Sequence, residues 1–316
     1  MPRVSICVTT FNQHRYIGEC LESLLAQASE CDAEILVGDD CSDDGTSELI
    51  LGLASAHPAL ITHIRHAPRL GASLNTKALL TRCVGEYVAR LDGDDYWLPG
   101  KLGRQVEYLD THPDCSAVYT NAITTDEVGN RMGLFNDVGD SRFDLAALLR
   151  HGNFLNNSSV LFRRQSIAPW VAIDGALIDY RAHLLHARFG YVAQLGESLT
   201  AYRVNAQGSM VAGMNDKVRE LYWEAILSVP RDRISDQDFA LGIADFLRRV
   251  AFRAARTRNW QLLRDWAKRV FAVSPYGRMR TGLLTSASIL RILGKETVGV
   301  FRKDADGKRQ RVLYRR

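Results

Sequence analysis

The 316-residue sequence contains no CxxC pair, although it has six cysteines. All six fall between Cys7 and Cys115. Neither a zinc ribbon nor a disulfide framework is spelled out, and this usage fits a reducing compartment. No apolar run reaches the roughly 18 residues that cross a bilayer. No basic start, apolar core and small-residue cleavage site precedes the first strand-like run, so the chain reads as cytoplasmic. There the sequons in Asn156-Asn157-Ser158-Ser159 carry no meaning. No GxGxxG follows a strand, which argues against a nicotinamide enzyme. With 46% apolar and 24% charged residues, the chain is globular rather than disordered.

The net charge of +4 hides two unlike parts. From Arg248 onward there are 19 Lys and Arg against 4 Asp and Glu, a balance of +15. The preceding residues therefore carry −11. An acidic body joined to a basic tail requires two kinds of explanation.

The body alternates strand and helix. Apolar, β-rich runs at 4–10, 33–38, 60–65, 86–91 and 116–120 predict strands. Between them, apolar residues at helical spacing predict a helix capped by Asn12, then helices at 46–56, 72–83 and 101–111. Such alternation implies a parallel, doubly covered sheet. From 121 to 205 the pattern loosens, with helices expected at 143–151 and 176–188 and strands at 160–162, 191–194 and 199–204. Beyond Asn205 the pattern is helical only, at 216–228, 236–256, 259–273 and 278–293. A hairpin over 298–313 then turns at Asp306-Gly307. Residues 1–205 thus read as one α/β domain and 206–316 as a basic, mainly helical C-terminal region.

Ligands of an open parallel sheet bind beyond the carboxyl ends of its strands. Three such ends are polar or acidic: Thr9-Thr10-Phe11-Asn12, Asp39-Asp40, and Asp92-Gly93-Asp94-Asp95. Asp43-Asp44-Gly45 reads as a turn and helix start. Adjacent carboxylates at Asp39-Asp40 repel unless something uses them, and one can accept a bond from a nucleobase N–H while Phe11 offers a flat surface. Three carboxylates in four residues raise one another's pKa unless a cation neutralises them. Oxygen-only ligands suit Mg2+ or Mn2+, and Gly93 allows close backbone approach.

These motifs together resemble the family 2 glycosyltransferases of the GT-A fold. The matching stretches are 4–12, 34–46 and 85–97 with Lys101-Leu102 beyond, and the likeness covers 1–205. It implies a GT-A fold, α/β with a mixed, mainly parallel central sheet. It also implies an inverting transfer from a nucleotide-diphosphate sugar, assisted by Mn2+ or Mg2+, in cell-surface polysaccharide synthesis. Thr9, Phe11, Asn12, Asp39 and Asp40 would hold the nucleotide. Asp92 and Asp94 would form the metal-binding DxD element, with Asp94 the direct ligand and Asp92, beside Gly93, nearer the ribose. Asp179, in Leu177-Ile178-Asp179-Tyr180, matches the family's catalytic base at a helix start, although Ile178 replaces the first acid of the usual pair. Tyr202 and Arg203 match the family's Tyr-Arg strand end.

Two departures stand out. Asn205 occupies a position where many relatives have a His that meets metal or diphosphate. Leu74 precedes Asn75 where many have Arg, leaving Arg69 or Lys77 to meet the diphosphate. Trp97 either packs under the DxD loop or offers a platform to the acceptor sugar. His183 and His186, three apart on a predicted helix, lack a third partner and read as packing residues. An Asp facing the base favours a UDP- or dTDP-sugar; the acceptor would be a glycan or lipid-linked hydroxyl.

Nucleotidyl transfer is disfavoured because 9–12 has neither Gly nor a cation to cradle a triphosphate. A non-catalytic nucleotide-sugar-binding protein is the other alternative, and the paired DxD and Asp179 argue against it. The basic tail has no nucleic-acid motif. It would pack on the body, meet a second subunit, or touch the inner membrane face peripherally.

Overall fold

The computed structural model describes residues 1–204, 215–298, 302–303 and 309–314. Its centre is a mixed sheet. Strands β1 (Val4–Thr10), β2 (Ala33–Asp39), β3 (Ile61–Arg65) and β4 (Tyr87–Asp92) form a parallel block with β1 between β2 and β4. Helices α1 (His14–Ala28), α2 (Thr46–Ala56) and α3 (Ala72–Leu80) make the crossovers. Alternation along β1 fixes the two faces: Val4, Ile6 and Val8 enter one core and Cys7 the other. Ile35 and Val37 of β2 follow the first core and Leu36 the second.

After the short β5 (Tyr96–Trp97) and α4 (Lys101–Thr111), β6 (Cys115–Thr125) does not continue the parallel block. The later strand β9 (Leu161–Arg163) lies between β4 and β6, antiparallel to both. β6 continues outward to β7 (Arg131–Asn136). The two strands expected at 191–194 and 199–204 are one, β10 (Tyr191–Arg203), running parallel to β6 with register shifts between Leu195 and Thr200. The polar stretch Gly196-Glu197-Ser198 is therefore an irregularity inside a strand rather than a break. β10 also pairs with β5 and with β8 (Ser141–Phe143), antiparallel to both.

Asn12 does not cap α1. It has a left-handed φ of 51°, and Gln13 occupies the cap position. The free N–H groups of Gln13 and His14 are met by Thr46 Oγ1 at 2.9 Å and Asp44 Oδ2 at 3.1 Å. Two strand-end loops thus brace each other.

The remaining short helices are α5 (Leu145–His151), α6 (Ile167–Val171) and α7 (Asp179–His186). Helices Asn215–Leu227, Asp236–Thr257, Trp260–Val273 and Arg278–Val298 follow, close to the predicted spans. They share a core with the sheet half: Trp223, Phe246 and Trp266 cluster with Leu148, Leu149 and Tyr180. The last strands, β11 (Arg302–Lys303) and β12 (Arg309–Tyr314), pair antiparallel as the predicted hairpin would. The turn itself at Asp306-Gly307 lies outside the described residues. β12 then joins the main sheet, parallel to β7, with Arg311 beside Gly133. A Cβ at Gly133 would collide with the Arg311 backbone, so this approach requires glycine.

All six cysteines are free thiols. No helix among the described residues is long and apolar enough to cross a membrane.

Candidate active site at the carboxyl ends of the strands

Thr9, at the end of β1, donates from Oγ1 to Asp92 Oδ1 at 3.1 Å, across the register pair of β1 and β4. The Gly93 N–H donates to the Thr9 carbonyl at 2.9 Å. A Cβ on Gly93 would lie 2.6 Å from Gln13 Oε1 and 2.9 Å from Thr10 Cβ, so the DxD loop passes too close for any other residue. Asp92 is half-open and faces the Arg90 guanidinium at 3.6 Å.

Asp94 is half-buried, and its pKa is raised to about 6 by desolvation and by Asp92, against the opposing pull of Arg203 and Gln13. Asp95 is buried, accepting from Ser158 Oγ at 2.5 Å and from the Arg203 N–H at 2.8 Å. Desolvation and its two acidic neighbours push its pKa well up. The expected mutual repulsion is therefore present. Two adjacent carboxylates, hard oxygen donors, with Asp94 disfavoured as an anion by burial and by Asp92, fit a divalent cation. Among the described residues no group of three or more His, Cys, Asp or Glu converges on one point. Asp94 and Asp92 would thus share an ion with water and a diphosphate.

The residues expected to hold the nucleotide divide into two groups. Phe11, Asp40 and Arg69 converge: the Arg69 guanidinium lies 3.5 Å over the Phe11 ring, and its Nε donates to Asp40 Oδ2 at 3.3 Å. Asp40 also accepts from the Leu70 and Gly71 N–H groups at 2.7 and 2.9 Å. It is buried and anchors the 69–71 loop, while Arg69 is open.

Asp39 does not reach the cleft. It is fully buried, accepting from the Ser42 N–H at 2.9 Å and from the Ser47 hydroxyl, with His63 Nε2 at 3.5 Å. These partners outweigh burial and hold its pKa far below the usual range. Its role is to shape the β2–α2 turn, because a buried carboxylate needs local donors. Asn12 likewise spends its amide on Asp43, donating from Nδ2 at 2.8 Å and accepting the Asp43 N–H at 3.0 Å. Lys77 donates to the Ile173 carbonyl, two residues past the end of α6. Leu74 is half-exposed.

Trp97 is no acceptor platform. It is 2% exposed, donates from Nε1 to the Ser158 carbonyl at 3.0 Å, and carries the Lys101 ammonium 3.8 Å from its ring centroid. A ring so enclosed packs under the DxD loop and presents no face to a sugar. Arg203 is also internal. It donates to the Asp94 carbonyl and to Glu19 Oε2, the latter at 2.8 Å, and lies 4.5 Å over the Tyr16 ring. It clamps the loop that carries Asp94. Tyr202 packs edge-on to Phe135 at 5.2 Å and lies within the field of Asp95 and Tyr314. Asn205 lies outside the described residues.

Asp179 begins α7, with Ile178 in the cap position and no capping bond. Its side chain lies in an exposed position. Desolvation and the charge of Asp92 raise its pKa to about 6, with Arg90 opposing. Asp92, Arg90 and Asp179, from β4 and α7, thus share one field.

His183 and His186 are buried. His183 Nδ1 meets Tyr119 Oη at 2.6 Å, and His186 packs on Phe162 and Trp170. Burial lowers both pKa values, His183 to about 3.

Four contributors were missed in the sequence. Arg90 sits in what reads as a buried strand, where its charge was the available signal. Gln13 and Ser158 look like ordinary polar residues. Tyr314 meets Phe135 only because β12 joins the sheet; the rings are 4.9 Å apart, and burial, with the charge of Asp179, raises the pKa of its phenol against Arg249. A basin of about 640 Å3 lined by Arg3, Glu86, Arg163 and Arg164 contains none of these groups and lies near the amino ends of β1 and β4.

The model of the family described as glycosyl transferase family 2 matches residues 5–168. The uncharacterized protein Rv1520 of Mycobacterium tuberculosis is 34% identical over 223 residues, covering 70% of this chain and 64% of that protein. The match thus spans less than two thirds of that relative. The amylovoran biosynthesis glycosyltransferase AmsE of Erwinia amylovora is 29% identical over 211 residues, 64% of this chain and 76% of AmsE. Among solved structures, S. aureus TarS 1–349 in complex with UDP-GlcNAc superimposes with a TM-score of 0.64 at 18% identity, over 99% of this chain and 97% of that one. That likeness establishes the GT-A architecture.

Proposed function

The chain belongs to glycosyl transferase family 2, and from that premise we propose that it moves a sugar, with inversion, from a nucleotide-diphosphate donor to an acceptor hydroxyl. The observation that carries this is the common field of Asp92 and Asp179, one at a strand end and the other at a distant helix start. Phe11 and Arg69 form the base platform. Three of the four lone-pair positions of Asp40 are taken, leaving one for a base N–H. That arrangement favours the imide of uracil or thymine, hence a UDP- or dTDP-sugar.

Asp94 and Asp92 would hold Mn2+ or Mg2+, which when bound neutralises charge on the departing diphosphate. The chain's own residues do the rest. Thr9 and Arg90 fix Asp92, and Arg203 fixes the backbone of Asp94. Asp179 takes the proton of the acceptor hydroxyl as its oxygen bonds to the anomeric carbon. The bond from that carbon to the diphosphate oxygen breaks, and its electron pair leaves with the nucleotide. A base with a pKa of about 6 is ionised at pH 7 yet basic enough to accept a proton.

The acceptor is read as a glycan or lipid-linked hydroxyl in cell-surface polysaccharide synthesis, a reading supported by the name of AmsE. Residues 1–205 carry the chemistry, and the C-terminal region reaches them through Tyr314, which packs on Phe135 beside Tyr202. A thermal-shift screen of nucleotide-sugars with and without Mn2+ tests donor and metal together. Stabilisation by a UDP- or dTDP-sugar only with metal is expected, and none with any nucleotide-sugar would overturn the reading.

A further inference from the structure

The helix Arg278–Val298 turns an apolar stripe to solvent. Thr281 and Thr285 are 0% and 8% exposed and face the protein. Met279, Leu283 and Leu290 are 85%, 68% and 68% exposed, with Leu293 at 43%. At 100° per residue these four fall within one stripe, and Ser286 between them is also exposed. The buried hydroxyls are satisfied locally: Thr285 donates to the Thr281 carbonyl at 3.0 Å, and Thr281 Oγ1 is 2.6 Å from Ser274 Oγ. Thr281 and Thr285 share the settled inner face with the half-buried Leu284, Ile289 and Ile292, while the stripe of Met279, Leu283, Leu290 and Leu293 has no cover among the described residues.

The stripe has a charged border of one sign. Arg280 and Arg291, eleven positions apart, lie along the same side of it, and both are exposed. Arg278 begins the helix. None of these three arginines has an ion-pair partner among the described residues. No Asp or Glu occurs between Arg278 and Lys295. An apolar stripe flanked by unpaired cations is the pattern of a helix that lies in the plane of an anionic interface.

We infer that this helix docks the protein on an anionic lipid bilayer, with Met279, Leu283, Leu290 and Leu293 entering the boundary and Arg280 and Arg291 meeting lipid phosphates. Charge decides between lipid and a second copy of the chain. An antiparallel two-fold contact through this stripe would bring the arginines of both copies to one seam, with no acidic residue between Arg278 and Lys295 to answer them. The surplus of +15 from Arg248 onward adds a long-range attraction of the C-terminal region to anionic lipid. This inference is independent of the sugar-transfer reading and is tested without donor or acceptor.

The test is co-sedimentation of the full chain with phosphatidylcholine vesicles, pure or mixed with phosphatidylglycerol, alongside sedimentation velocity of the protein alone. Wild type should partition at least about tenfold more strongly to the anionic vesicles, and high salt should weaken this. L283E/L290E should abolish the binding and R280E/R291E should lower it at least about tenfold, both with unchanged melting curves because the four side chains are exposed. Equal sedimentation of wild type and L283E/L290E would overturn the inference. So would a wild-type dimer that L283E/L290E dissolves while anionic vesicles bind neither protein.

Discussion

Replacing Asp179 with Asn probes the site from two directions. The side chain keeps its shape and loses its charge. If Asp179 is the base, turnover should fall by about 10²–10⁴-fold, the range for loss of a positioned general base. Stability should move the other way. Its pKa rises from 3.8 to about 6 on folding, so between those values the folded state binds more protons than the unfolded one. Stability therefore declines as pH rises through this window, and the penalty is complete above about 6. Taken at face value the shift corresponds to about 3 kcal/mol. Asp179 is exposed, and solvent screening reduces this to about 1 kcal/mol. Asp179→Asn should thus raise the melting temperature at pH 7.5 and change it far less near pH 3.5, where the wild-type carboxyl is protonated in the folded state and about two-thirds protonated in the unfolded one. Steady-state turnover with the donor found by thermal shift, together with melts at the two pH values, measures both effects. Wild-type turnover in the variant would refute the base assignment. Reduced turnover without a pH-dependent stability gain would refute the shared field with Asp92.

Other expectations follow from the same geometry. Asp94→Ala should remove Mn2+-dependent nucleotide binding by calorimetry while leaving the far-UV spectrum intact. The wild-type kcat/KM should rise with pH through about 6 as Asp179 ionises, and a flat profile between pH 5 and 7 would contradict the pKa derived for it. Arg203→Met should lower stability by about 1–3 kcal/mol, since the Asp94 carbonyl and Glu19 lose a donor; it should reduce turnover more than nucleotide affinity. Gly133→Ala should expel β12 from the sheet, seen as faster amide exchange over 309–314 and as impaired turnover through Tyr314.

The parallel block was legible because β1 to β4 alternate cleanly and their helices have clear stops. The antiparallel insertion of β9 was not, because a three-residue apolar strand carries no information about its neighbours. The merger of two predicted strands into β10 was hidden by Gly196-Glu197-Ser198, which reads as a turn. Within the site, Phe11 and the DxD loop were readable from their position after strands, whereas Arg69 was expected, as an alternative to Lys77, at the diphosphate and instead stacks on Phe11. Asp39 was misplaced because adjacent carboxylates look alike in sequence. Only the fold decides that Asp39 turns inward to Ser42 and Ser47 while Asp40 holds the 69–71 loop. Trp97 was ambiguous for the same reason: the side on which a ring is covered is a tertiary property.

The junction of β12 with β7 has a consequence for the order in which the molecule forms. Arg311 meets Gly133 across more than half of the chain, and in parallel orientation. Such a contact closes a very long loop before any ladder bond rewards it, so it belongs among the slow events of folding. Until then β7 presents an unpaired edge, a place where another chain can add. The environment of Tyr314 beside Phe135 and Tyr202 should therefore mature late in refolding. Catalytic competence should lag behind the recovery of bulk secondary structure.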